Sequence, residues 1–288
     1  MGFKHTERRK EMIKNIDKPT RPILRYHGGK WNLADWIISH FPEHRIYVEP
    51  FGGAASVLLQ KNRCYSEVYN DLDDDIVNLF KVVRDNGEYL RNRLVLTPFS
   101  RKEFELSYQF TDDEMERASR TVVRAYMGFG SAAASGYKTG FRCNSNRSGT
   151  TPAHDWKNYP AALENIIKRL QGVIIENKDA LLVMKQHDTD DCLHYVDPPY
   201  LLDTRHKGQN TKCYKYEMSN QEHENLLFEL PKLKGQVILS GYDNEVYNDN
   251  LKGWHKSLKK SFADGASERT EVLWCNFKPY NQLQLFTP

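Results

Sequence analysis

The chain has 288 residues, enough for one or two domains with a substantial core. Hydrophobic residues make up 39% and charged residues 27%, the balance of a soluble globular protein, and no apolar run approaches a membrane span. The net charge of +3 says little by itself, so any charged partner must be met through local clusters.

Residues 1–20 lack the apolar core of a secretory signal and read as a flexible basic arm. The first 30 residues hold nine basic side chains against three acidic ones. Tyr26-His27-Gly28-Gly29-Lys30 is a glycine turn before a helix marked by Leu33, Trp36, Ile37 and Phe41. It does not fit G-x-x-x-x-G-K-[ST], which argues against a nucleoside triphosphatase. A strand over Ile46–Val48 then runs into Glu49-Pro50-Phe51-Gly52-Gly53, with a helix from Ala54. A second strand ends at Asn70-Asp71, and Asp73 is placed to cap the next helix. Glycines between strand and helix let backbone approach a ligand at a helix N-terminus. An acidic strand end about twenty residues later suits two ribose hydroxyls, hence an adenosine-containing cofactor. The alternative is a glycine kept for packing at the strand–helix turn.

The middle of the chain changes character. Ser100-x-x-Glu103 and Thr111-x-x-Glu114 both fit capping boxes. Spacings of three and four put Arg117, Arg120 and Arg124 on one helix face. From Arg117 to Thr150 there are six Lys or Arg and no acid. Gly128 to Pro152 is rich in Gly, Ser, Thr and Asn, which predicts a long functional loop or hairpin. A polyanion would be met here, through Arg120, Arg124, Tyr137, Lys138, Arg142, Asn144 and Arg147; a solvated basic face is the bland alternative. Arg142 and Arg147 suit guanine edges and Asn144 adenine edges, or all three hold phosphates.

From Ala161 the alternation of helix and strand returns. A helix to Leu170 precedes a strand over Val173–Ile175, with Asp179 beyond it. A further strand, Leu193–Val196, is stopped by Asp197-Pro198-Pro199-Tyr200, because two prolines cannot donate to a ladder. That turn fixes a carboxylate, a proline carbonyl and an aromatic ring at a strand's carboxyl end, where open α/β sheets bind ligands. Two acceptors and a ring plane suit a flat group bearing an NH2, although an ordinary loop after a strand is also possible. Ser219-x-x-Glu222 is a third capping box, followed by a strand over Gln236–Leu239. Extended stretches near 254–262 and 271–277, separated by Asp264-Gly265, predict a C-terminal β-hairpin. The five cysteines form no Cys-x-x-Cys pair, so neither metal nor disulfide is expected, and a reducing cytoplasm is.

Taken together, these motifs resemble the Dam-type adenine-N6 DNA methyltransferases (the D12 class, alpha order of motifs). Tyr26–Lys30 looks like the family's aromatic-x-Gly-Gly-Lys motif, Val48–Gly53 its cofactor loop, and Asn70-Asp71 its acidic strand end. Tyr195–Tyr200 looks like its catalytic motif. More loosely, Phe141–Asn144 with Thr151-Pro152 resembles its target-recognition hairpin. The resemblance implies a Rossmann-like α/β sheet with helices on both faces and a C-terminal hairpin, interrupted by a mostly helical recognition domain. The catalytic domain is expected over 21–86 plus 161–288 and the insert over 87–160. It implies S-adenosyl-L-methionine as cofactor, contacted by Tyr26, Lys30, Phe51, Gly52, Gly53, Asp71, Asp179 and Asp197. It further implies catalysis by Asp197, Pro198, Pro199 and Tyr200, no metal, double-stranded DNA as partner and no obligate protein partner. Localisation would be cytoplasmic, on the nucleoid. Rival readings are methylation of cytosine N4 or an RNA base, and a DNA-binding homologue that has lost catalysis.

Overall fold

In the computed structural model the described residues are 18–130, 135–146, 149–204, 214–262 and 268–279. Most of the expected basic arm, Arg147 and the Asp264-Gly265 turn fall outside them. In chain order the elements begin with α1 (Ala34–Ile38), β1 (Ile46–Glu49), α2 (Ser56–Gln60), β2 (Ser66–Asn70) and α3 (Asp74–Leu96). Next come α4 (Arg101–Leu106), α5 (Glu114–Met127), α6 (Pro152–Leu170), β3 (Val173–Glu176), α7 (Ala180–His187) and β4 (Cys192–Val196). The chain closes with α8 (Asn220–Glu229), β5 (Gln236–Tyr242), α9 (Glu245–Asn250), β6 (His255–Phe262) and β7 (Glu268–Cys275). They form two compact units. Among the described residues, one holds 32–53, 61–77 and those from 172 on; the other holds 18–31, 54–60 and those between 78 and 171.

All seven strands lie in the first of these, in the order β3-β2-β1-β4-β5-β7-β6. Strands β1 to β5 run parallel, and β7 is antiparallel to both neighbours, so the expected C-terminal hairpin is present. Every residue of β4 is buried, as a central parallel strand requires. Val48, Val68, Val196, Leu226, Leu239 and Trp274 belong to one core cluster. Beneath it the imidazole of His194 on β4 meets the Asp188 carboxylate at 3.2 Å, and burial lowers the pKa of that histidine. This is the mixed α/β architecture expected.

The helical unit contains the expected insert 87–160 and more. Helix α3 is kinked at Asn86. A Cβ at Gly87 would stand 2.4 Å from Ile167 Cγ1, so only glycine lets α3 and α6 approach this closely. Arg21 lies over the rings of both Tyr126 and Tyr159, and those two hydroxyls donate to the Pro22 and Ile23 carbonyls. Three expected boundaries move. The helix expected from Ala161 begins at Pro152, capped by Thr151, and carries Pro160 inside it. The boundary at 160/161 therefore falls within one helix. Helix α5 is capped by Asp113, whose carboxylate accepts the Glu116 N–H, not by Thr111. Helix α2 starts at Ser56, two residues after Ala54. The caps at Asp73 and Ser219 form as read, the latter as a reciprocal box.

Candidate active site

The strand order reverses between β1 and β4: β1 leads outward to β2, and β4 to β5. Crevices outside the carboxyl ends at such a switch point are where open α/β sheets take ligands. Ile46 pairs with Cys192 and Val48 with His194, so the loops after β1 and β4 leave at the same end and nearly the same level. These are the Pro50–Gly53 loop and the Asp197–Tyr200 turn.

The first loop is stapled by Asn70, which is fully buried. Its amide nitrogen donates to the Pro50 and Lys178 carbonyls at 2.9 Å each, and its oxygen accepts the Lys178 N–H. The N–H of Gly52 donates to the Asn70 carbonyl at 2.8 Å. A Cβ on Gly52 would fall 2.1 Å from the Tyr69 ring, so this glycine is demanded by packing. Tyr69 in turn donates its hydroxyl to the Gly53 carbonyl at 2.7 Å. Gly53 has φ +48°, and its N–H donates to Asp71 Oδ2 at 2.8 Å. The other oxygen of Asp71 accepts the Asp73 N–H at 2.8 Å. Burial outweighs these two bonds and raises the Asp71 carboxyl to about 6. Each oxygen keeps a further lone pair, so the group retains acceptor capacity for two hydroxyls. Phe51 is half-buried in the same loop. Two residues beyond Gly53, Ala55 takes φ +51°, a left-handed conformation uncommon for a non-glycine residue.

In the second turn Pro198 is buried, and Asp197, Pro199 and Tyr200 are partly so. The Tyr200 hydroxyl donates to Glu271 Oε2 at 2.8 Å and lies 3.0 Å from Ser240 Oγ. Burial, then the charges of Asp197 and Glu271, push its pKa well up. Its ring meets Tyr242 edge-on, centroids 4.6 Å apart.

Asp179 is exposed and caps α7 by accepting the Leu182 N–H at 3.1 Å. Tyr26 and Lys30 belong to the helical unit, where Gly28 turns at φ +69° and the buried Lys30 ammonium donates to the Gly28 carbonyl at 2.8 Å. Two arginines read as DNA contacts are turned inward. Arg124 is 6% exposed and donates to the Ser107 carbonyl at 2.6 Å. Arg142 is 8% exposed and donates to the Tyr126 carbonyl at 2.9 Å, with Asp155 3.6 Å away. Arg120 bonds Glu116 and the Gln109 carbonyl. Helical spacing put Arg120 and Arg124 on one face, but did not reveal that protein carbonyls cover that face. Lys138 and Asn144 are exposed, and the Tyr137 carbonyl accepts the Tyr108 hydroxyl. A cleft of about 410 Å³ opens beside them, walled by Phe104, Tyr108 and Phe141 with Arg101 and Lys138 contributing cations. Glu49 and Glu271 are buried carboxylates to which the sequence reading gave no role; Glu49 accepts the Tyr47 hydroxyl at 2.6 Å.

Residues 26–262 match the family model of the D12 class N6 adenine-specific DNA methyltransferases. The chain belongs to that family. Among curated relatives, the DNA adenine methylase of Escherichia coli K12 is 28% identical over 191 residues, 64% of this chain and 66% of that protein. The DNA adenine methylase of Vibrio cholerae serotype O1 is 30% identical over 131 residues, 43% and 47% of the two chains. That of Haemophilus influenzae is 39% identical over 67 residues, 23% of each. The match with the E. coli methylase thus spans just under two thirds of its length. Within the matched residues, the Asp197–Tyr200 turn stands at the β4 end of the switch point and the Pro50–Gly53 loop at the β1 end.

Proposed function

We propose that this chain transfers a methyl group from S-adenosyl-L-methionine to the N6 amine of adenine in duplex DNA. The observation that carries the reading is the Asp197–Tyr200 turn standing beside the Pro50–Gly53 loop at the switch point. Membership of the D12 family supports the methyl donor and the DNA substrate.

The residues present suit the adenosine half of the donor. Asp71 holds its two carboxylate oxygens on backbone N–H groups and keeps lone pairs for ribose hydroxyls. Phe51 offers a ring in the same loop, and Gly52 and Gly53 shape the loop. Tyr26, Lys30 and Asp179 are assigned to the cofactor by resemblance alone. When bound, S-adenosyl-L-methionine supplies an electrophilic methyl on its sulfonium. The protein's task is to make a poor nucleophile face that methyl. The Asp197 carboxylate and Pro198 carbonyl accept the two N6 hydrogens, which favours a tetrahedral nitrogen and directs its lone pair. Fixed acceptors also stabilise the positive charge that grows on nitrogen, and positioning supplies much of the rate. A stacked base is out of reach, so the adenine is flipped out and stacked on Tyr200.

DNA contacts are assigned to the exposed side chains of the helical unit: Lys138, Asn144 and Arg101, with Tyr137 and Arg147 from the sequence. Arg120, Arg124 and Arg142 serve chiefly to hold that unit together. The test is sequencing that maps N6-methyladenine in DNA from cells expressing the chain, with Asp197→Ala as control. Methyladenine at a defined site, lost in the variant, is expected. Its absence from cells making folded parent protein refutes the assignment.

A further inference from the structure

Glutamate is an odd choice in β7. The strand lies between β5 and β6, and its neighbours Val272, Leu273, Trp274 and Cys275 are all buried apolar residues. Glu271 is only 6% exposed. A buried carboxylate is costly unless paired, and an apolar residue would serve the sheet better. Among its partners is the Tyr200 hydroxyl, at 2.8 Å.

The sheet register explains how these groups meet. Tyr242 on β5 pairs directly with Glu271 on β7, and Ser240 with Leu273. Directly opposed residues share a face, and so do residues two apart, so Ser240, Tyr242 and Glu271 lie on one face of the sheet. Tyr200 packs onto that face. Its single proton goes to Glu271, so the Ser240 hydroxyl, 3.0 Å away, donates to the phenol oxygen. The Tyr242 edge meets its ring, and Tyr242 is anchored in turn by Arg269, which donates to its hydroxyl at 2.7 Å. Hydroxyl end and ring edge are both fixed, so the ring plane has no freedom to rotate.

We infer that Glu271 is a positioning residue for methyl transfer: through the Tyr200 hydroxyl it sets the ring plane on which the flipped base stacks. The inference rests on the adenine-methylation reading above. It acts through Tyr200 and touches no reacting atom.

The test is a double-mutant cycle on the full chain, measuring kcat, KM for DNA and S-adenosyl-L-methionine binding by calorimetry. Glu271→Ala and Tyr200→Phe should each lower kcat roughly tenfold, the order expected for a lost hydrogen bond to a charged group, with KM and cofactor affinity little changed. The double variant should be no slower than the worse single, because both remove one interaction. Glu271→Gln keeps an acceptor for the phenol and should stay within about threefold of the parent. Its recovery separates positioning from mere folding, and Tyr200→Phe keeps the test valid should Glu271→Ala not fold. Parental kcat in Glu271→Ala overturns the inference. So does a Glu271 effect that is undiminished in the Tyr200→Phe background. A folded parent that binds no cofactor or methylates no DNA sinks the underlying reading instead, and this inference with it.

Discussion

Asp71→Asn separates what the Asp71 carboxyl does for the fold from what it does for the cofactor. In the unfolded chain this carboxyl titrates at 3.8, and in the fold at about 6. The raised value means the fold favours the protonated form. Its contribution is fully present below 3.8 and is lost as pH rises through about 6. At 1.36 kcal/mol per pH decade, the gap corresponds to about 3 kcal/mol between the two extremes, of which about 2 falls between pH 4.5 and 7.5. Asparagine removes that slope. It also turns an NH2 toward one of two backbone donors, Gly53 or Asp73, at a cost of about 1–3 kcal/mol. The two effects nearly cancel at neutral pH, so the variant should be folded there. The difference in urea stability between parent and variant should move by about 2 kcal/mol from pH 4.5 to 7.5. Cofactor binding should move the other way. Ribose hydroxyls donate to the ionised form, and at pH 5 only about a tenth of the groups are ionised. Calorimetry with S-adenosyl-L-methionine should therefore show about tenfold weaker binding at pH 5 than at pH 7 for the parent, and weak, pH-flat binding for Asp71→Asn. Equal parental affinity at the two pH values, or parental affinity in the variant, refutes the reasoning.

Asp197→Ala should abolish methylation of duplex DNA and leave the circular dichroism spectrum intact, since it removes an N6 acceptor from a turn already set by two prolines. Gly52→Ala should lower stability by about 1–3 kcal/mol in thermal melts, because the new methyl collides with the Tyr69 ring; a melt unchanged within error would show the loop relaxes freely. Arg124→Ala should act on the melt, by roughly 1–3 kcal/mol, because the buried Ser107 carbonyl loses its donor. Lys138→Ala should leave the melt alone and flatten the salt dependence of DNA affinity by about one unit of slope. If Arg124→Ala keeps the parental melt but changes the salt slope, the inward reading of that arginine fails.

What could be read from the sequence was local. Two successive prolines stop a strand wherever the strand sits, so the Asp197 turn was legible without any tertiary knowledge. The Asp73 and Ser219 caps were legible for the same reason, since each bonds within three residues of itself. What escaped depends on partners far along the chain. Asn70 spends its amide on Lys178, and Tyr200, in the turn after β4, meets Glu271 on β7, 71 residues on, a contact that no spacing rule reports. Arg124 and Arg142 carry the charge that a phosphate wants. Whether that charge faces solvent was decided by the Ser107 and Tyr126 carbonyls, which a charge count does not see.

The strand pair that frames the site also governs how the molecule is made. Residue 46 pairs with residue 192, and residue 67 with residue 173. A ribosome delivers β1 and β2 long before it delivers β3 and β4, with most of the helical unit in between. For that interval β1 has one parallel neighbour and an unsatisfied inner edge, and the helical unit too must wait for Tyr159 before its hydroxyl can reach the Ile23 carbonyl. Sheet closure must wait on long-range pairing, which is slow and leaves strand edges open to other chains. Yield of soluble protein should accordingly depend more on synthesis temperature and chaperone supply than on the stability of the finished fold. Substitutions that slow docking of β4 against β1 will first appear as aggregate rather than as a lowered melting point.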